Sequence, residues 1–212
     1  MQRNVSLDLM EFVERNILKR YNAFDAAHNM THVNRVINAS VRLAQKMGAD
    51  IDMAYVVAAY HDLGLEVERA THHIESGKIL KADRRLDRWF SAQQIEVMRQ
   101  AVEDHRASAS RAPRNIYGKI VAEADRDLQP DSVFRRTVQF GLDHYPEKTH
   151  EEHWLRFLEH MQQKYSTAGY IKLWIQGSDN ERNLSELRSI INNRQQLRQI
   201  FETIYKELTP DH

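Results

Sequence analysis

His61 and Asp62 stand side by side in the apolar stretch AYVVAAYHDLG. A neutral imidazole nitrogen beside a hard carboxylate oxygen is a mixed donor pair, suited to Mn, Fe, Zn, Ni or Mg-type ions according to geometry. Burying both is costly unless something pairs with them. Two adjacent side chains cannot enclose an ion, so further ligands must arrive from other helices, as in metal sites built inside helical bundles. The candidates on other apolar helices are His32, His72, His105 and Asp125, the last closing the run IVAEAD. A competing reading stands beside this one. A single buried histidine is more often a hydrogen-bonded core residue than a ligand, and an adjacent His-Asp pair is common by chance. What favours the metal is the ordered set, each member at the end of an apolar helix.

Those helices can be read from the pattern. Leu9, Phe12, Val13, Asn16, Ile17 and Tyr21 form a stripe, predicting a first helix from Leu7 to Tyr21. Asn29 or Thr31 caps a second, with Val33, Val36, Ile37, Ser40, Val41, Ala44 and Met47 on its buried face and Gly48 as its C-terminal stop. Asp50 or Asp52 caps a third, Met53 to Asp62, apolar nearly all round and therefore a core helix. Further helices are expected at Ile74–Lys81, Ala92–Asp104, Ile116–Asp127, Ser132–Leu142, Glu151–Tyr165 and Ala168–Gln176, with Pro130 as a breaker. Ser178 and Glu181 make a capping-box pattern before one long amphipathic helix, Leu184 to Leu208. No strand pattern, repeat or flexible linker is evident.

With the elements in place, the motifs resemble those of a known family. HNMTHVNRVINAS is similar to the H-x-x-x-H-x-x-R-V helix of the HD superfamily of phosphohydrolases. YHDLGL resembles its H-D-[LI]-G turn, THHIESGKIL its H-x-x-x-[SG]-[GA]-x-I-L segment, and IYGKIVAEADRDL its K-I-[LV]-x-[DE]-A-D element. The likeness runs from His28 to Leu128 in the family's order. It implies an all-α, compact multi-helix HD-domain fold with a metal site between core helices. It also implies a first metal on His32, His61, Asp62 and Asp125, with His61 and Asp62 catalytic. His72 and His105, with Asp104 beside them, match positions that bind a second metal or substrate in two-metal members. His72 is preferred to His73, which is read as solvent-facing, because Ser76, Gly77, Ile79 and Leu80 fall at the family's offsets from it. Lys119 and His28 are candidate phosphate contacts. The chain departs from the pattern at Asp104, where many members have a second histidine, and at Leu65, where one branch has lysine and another glutamate. The expected organisation is one domain over 1–212, with 28–128 as the metal-bearing core and 129–208 as a helical extension packed on it.

Composition narrows the function. The 212 residues carry 30 Lys plus Arg against 30 Asp plus Glu, which argues against an extended nucleic-acid surface. No cysteine is present, excluding thiolate sites and cysteine nucleophiles and suiting the cytoplasm. No apolar run approaches a membrane span and no signal peptide is visible, so a membrane partner is not expected. Only 7 Gly and 4 Pro leave few helix breakers. The histidines at 150, 153 and 160 lack zinc-helix spacing and are read as packing or surface residues. Arg84, Arg85 and Arg88 are read as a solvated basic face. The leading expectation is a metal-dependent phosphohydrolase cleaving a phosphoester or pyrophosphate bond, in a small phosphorylated substrate such as a nucleotide, by metal-activated water. The divalent ion is one of Mn, Fe, Ni, Zn, Co or Mg. The alternative is a non-catalytic helical module that binds metal and nucleotide. Substrate, native ion, one metal or two, and oligomeric state stay open at this level.

Overall fold

Asn29 and Gly48 mark the two ends of the helix that first carries a candidate ligand. In the computed structural model, which describes residues 4–25, 28–106 and 111–209, the Asn29 side chain accepts from the backbone N–H groups of Thr31 and His32. Gly48 takes the left-handed conformation, φ 66°, that closes the far end without a Cβ penalty. The described residues form ten α-helices, with short 3-10 turns and no strand. No helix among them is long and apolar enough to cross a membrane. The chain divides into two compact units, Met1–Arg126 and Asp127–His212.

The first unit holds α1 (Leu7–Asn16), α2 (Met30–Met47), α3 (Ile51–Tyr60), α4 (His72–Ala82), α5 (Ala92–Glu103) and α6 (Ile116–Asp125). Helix α3 is its centre, with every residue but Asp52 buried, and it packs against α2, α5 and α6. Asp50 is its cap, accepting from the Met53 N–H, whereas Asp52 accepts from the Ser6 backbone and hydroxyl. Each fully buried Val or Met contributes about 1.5–3 kcal/mol relative to exposure. Apolar burial of that size holds α3 in place without help from an ion.

The first predicted helix is shorter than expected. It ends at Asn16, whose side-chain amide donates to the Phe12 carbonyl, and the chain continues as a 3-10 turn over Leu18–Ala23. The tighter turn buries Tyr21 and aims its hydroxyl at the end of α3, where it donates to the Ala59 carbonyl at 3.0 Å.

The second unit holds α7 (Pro130–His144), α8 (His150–Tyr165), α9 (Asp179–Asn192) and α10 (Arg194–Leu208). Pro130 opens α7 rather than breaking the chain: at the first helical position its missing N–H costs nothing. Thr149 and Glu152 make a reciprocal capping box for α8. Two expectations are corrected. The segment 168–176 is not helical. Gly169 sits so close to the end of α8 that a Cβ would lie 2.6 Å from the Lys164 carbonyl, and the backbone N–H groups of Tyr170 and Ile171 turn back to the Gln163 and Lys164 carbonyls. Ile171 and Ile175 are buried four residues apart all the same, so their helix-like spacing misled. The long terminal helix is likewise two helices: Asn193 interrupts it and caps α10 through the Gln196 N–H.

His153 is buried and His160 half-buried in this unit, among aromatic rings, and His150 pairs with Glu202 at 2.9 Å. Burial, then the charges of Lys164, Arg156 and Arg136, holds the His160 pKa down at about 4. The unfolded chain takes up that proton near the ordinary value of about 6.5. The stability contribution is therefore full above the unfolded value and drains away as pH falls towards 4. The unfolding midpoint should drop across that window, and His160→Leu should flatten part of the drop. An identical pH slope in the variant would refute the assignment.

Candidate metal centre

The C-terminal ends of α3 and α6 and the N-terminal turns of α2 and α4 deliver their side chains to one place. His61 and Asp62 follow the last turn of α3, His32 lies in the first turn of α2, and Asp125 ends α6. His32 Nε2 is 3.1 Å from His61 Nε2 and 3.3 Å from Asp62 Oδ2. Asp125 Oδ1 lies 3.4 Å from His32 Nε2 and 3.8 Å from His61 Nε2. His61 is fully buried and Asp62 nearly so.

Asp62 faces two ways. Its Oδ2 points to His61, 3.1 Å from Nε2, and to His32, while its Oδ1 is 3.6 Å from His72 Nε2 and 3.6 Å from His105 Nε2. Those two imidazoles meet at 3.3 Å. The ligating atoms of His32, His61 and Asp62 fall within 4.8 Å of one another, and so do those of Asp62, His72 and His105.

The histidines are oriented from behind. Nδ1 of His61 lies 2.7 Å from the Ala58 carbonyl, Nδ1 of His72 is 2.9 Å from that of Arg69, and Nδ1 of His105 is 2.6 Å from that of Val102. A carbonyl can only accept, so each Nδ1 carries the proton and each Nε2 presents a lone pair to the cluster. Lone pairs and carboxylate oxygens converging at just over 3 Å repel one another unless a cation or a proton lies between them. The donor set therefore fits a divalent ion. The proton affinity of the centre says the same: burial opposes a charge on His61, but Asp62 and then Asp125 hold its pKa at about 9. Burial likewise opposes ionisation of Asp62, yet the neighbouring histidines hold its carboxyl well below the usual range.

Several residues place these ligands. Arg35 donates from Nη1 to the Ala124 carbonyl at 3.0 Å and from Nη2 to the Asp125 carbonyl at 2.9 Å. It thereby satisfies the open end of α6 and ties it to α2. Arg35→Ala should release Asp125 and weaken metal binding about tenfold or more, with the fold retained. A metal titration identical to that of the wild type would dismiss this role. Gly64 donates its N–H to the buried Ser76 hydroxyl at 2.8 Å, fastening the turn after Asp62 to α4. Arg35, Gly64 and Ser76 all lie in the motifs read from sequence, but their part in positioning needed the packing to be seen.

The other sequence candidates fall elsewhere or at the edge. Asp104 is not brought to the cluster. Its buried carboxylate accepts from the backbone and Nε of Arg114 and from Arg111, because it terminates α5 on the side away from the Nε2 atoms. His28 is paired with Asp25 at 2.7 Å, its ring centroid 5.8 Å from that of His32. Lys119 lies on α6, half-buried, six residues before Asp125. His73 is not solvent-facing: it is half-buried, and its Nδ1 has no hydrogen-bond partner. Glu66, next to Leu65, pairs with Arg20. Arg84, Arg85 and Arg88 pair with Asp87, Asp83 and Asp8 at the surface.

An all-α unit with histidines and aspartates from separate helices around one point is a metal-competent helical domain. Residues 29–128, just under half of the chain, match the family model described as HD domain, and this stretch is an HD domain, the domain of a superfamily of metal-dependent hydrolases. The chain is 29% identical over 143 residues, 65% of its length, to a tRNA (cytidine(56)-2'-O)-methyltransferase of Thermoplasma volcanium. It spans 41% of that protein's length. It is also similar to the crystal structure of a predicted HD superfamily hydrolase from an uncultured Thermotogales bacterium. There the TM-score is 0.49 at 20% identity, covering 75% of this chain and 87% of the other.

Proposed function

We propose that the chain is a metal-dependent phosphohydrolase that cleaves a phosphoester or pyrophosphate bond of a small phosphorylated substrate, with a nucleotide as the expected class. The observation that carries the reading is the two-way placement of Asp62 between the pair His32/His61 and the pair His72/His105. A divalent ion bound there supplies Lewis acidity and a water acidified towards neutrality. His32, His61, Asp62 and Asp125 would hold the first ion, and Asp62, His72 and His105 would hold a second.

The chain's own residues supply the rest. The Nδ1–carbonyl contacts fix the tautomer of His61, His72 and His105 and aim each Nε2 at the centre, so no reorganisation is needed when charge develops. Asp62, nearly buried and ionised, contributes the negative charge that two neutral imidazoles lack. Asp125, partly exposed, would add a second carboxylate to the ligands of the first ion. No methyl transfer is proposed: the matched stretch is under half of the methyltransferase relative, and the motifs of this chain are those of metal ligation.

The test is elemental analysis of the purified protein together with a phosphatase and nucleotide panel supplemented with Mn, Ni, Co, Zn or Mg. Stoichiometric metal with turnover supports the proposal. Stoichiometric metal with no turnover on any phosphate would favour the binding module instead.

A further inference from the structure

At the edge of the centre, Arg106 is answered by no carboxylate among the described residues. Arg106 follows His105 directly, and His105 is buried against His72. Nη1 of Arg106 donates to the Ala70 carbonyl at 3.0 Å, two residues before His72. The guanidinium is thus tethered on both sides of the His72/His105 pair. Arg106 is exposed, and among the described residues no carboxylate lies within ion-pair reach of it. Its neighbours differ. Arg69 pairs with Asp25, Arg20 with Glu66, and Arg111 and Arg114 with Asp104.

A bare cation beside a centre suited to a dication is unfavourable, since each charge opposes the other. The arrangement becomes favourable when an anion lies between them. Spending one Nη1 proton on Ala70 leaves the Nε and Nη2 protons, the edge of the guanidinium that matches two phosphate oxygens. We propose that Arg106 grips the terminal phosphoryl group of the substrate, selecting a phosphomonoester or the end of a pyrophosphate over an internal phosphodiester. A terminal phosphoryl has three non-bridging oxygens and two charges, enough for the metal centre and the arginine together. A diester has two such oxygens and one charge, which the metal centre alone would occupy. The inference rests on the phosphohydrolase reading and adds the class of phosphate to it.

Calorimetric titration of inorganic phosphate and of dimethyl phosphate into Mn-loaded wild type, R106Q and R106K tests it, with metal content measured for each. Phosphate should bind R106Q at least about tenfold more weakly than wild type, at unchanged metal content. R106K should recover part of the loss, because it keeps the charge but not the fork. Dimethyl phosphate should bind weakly and ignore the substitution. The proposal fails if R106Q binds phosphate as tightly as wild type, if it loses metal, or if dimethyl phosphate is weakened as much as phosphate. The first of these leaves the phosphohydrolase reading standing. A fully metallated wild type that binds no phosphate overturns both.

Discussion

Asp62→Ala is expected to remove metal and turnover together. Among the described residues Asp62 is the carboxylate within reach of all four candidate imidazoles, 3.1 Å from His61 and 3.6 Å from His105 at its two oxygens. Without it, Asp125 alone balances a dication held by His32 and His61. Losing a partner that merely supports a ligand costs about 10–100-fold in metal affinity or activity, so losing a shared anionic ligand should cost more. His61→Ala should follow the same course through a lost nitrogen. Stability should move the other way or hardly at all. The core around α3 is apolar and complete, and deleting a buried carboxylate that serves an ion can relieve the metal-free protein. His153→Ala, in the other unit, should leave turnover unchanged. The measurements are metal content, melting temperature in chelator, and turnover per folded protein with metal in excess. Wild-type turnover in Asp62→Ala, with loss in His153→Ala, would place the active site in the wrong half of the chain.

Gly64→Ala should be the most damaging single methyl group in the first unit. A Cβ at this position would run into the His72 carbonyl oxygen and lie 2.6 Å from the Ser76 backbone nitrogen. Both obstacles are backbone atoms of α4, so no side chain can swing aside. Overpacking of this kind typically costs about 1–3 kcal/mol and more where backbone must move. The movement would carry His72 away from Asp62 and break the Gly64–Ser76 bond. The expected result is a melting temperature several degrees lower, with weakened binding of a second ion in whatever protein still folds. Gly48→Ala is the comparison. Its surroundings are open and only its positive φ resists a side chain, so it should cost about 1 kcal/mol and leave metal binding alone. Equal melting temperatures for Gly64→Ala and wild type would show that α4 is not held where it is described.

The division between what could be read early and what could not follows range. Caps and stops such as Asn29, Gly48 and Ser178 act within four residues, so their chemistry is written in the local sequence. The apolar surround of α3 needs only its own composition to declare a core helix. Apolar spacing misled where a local turn overrode it, at Gly169 and at Asn193, because period alone cannot distinguish a helix from an irregular segment that buries one residue in four.

By itself the sequence determined the all-α class, the core helix that leads into His61-Asp62, and the motif order that marks the HD superfamily. These depend on residue type, period and spacing along the chain. Only the tertiary structure decided that His32, His61, Asp62 and Asp125 share one point, and that Asp62 divides its oxygens between two histidine pairs. It alone turned Asp104 away to Arg114, aimed Nε2 of His61, His72 and His105 by a carbonyl behind each, and left Arg106 without a carboxylate among the described residues. Each of these is set by contacts between helices dozens of residues apart, whose crossing angles and depths of packing no local pattern encodes.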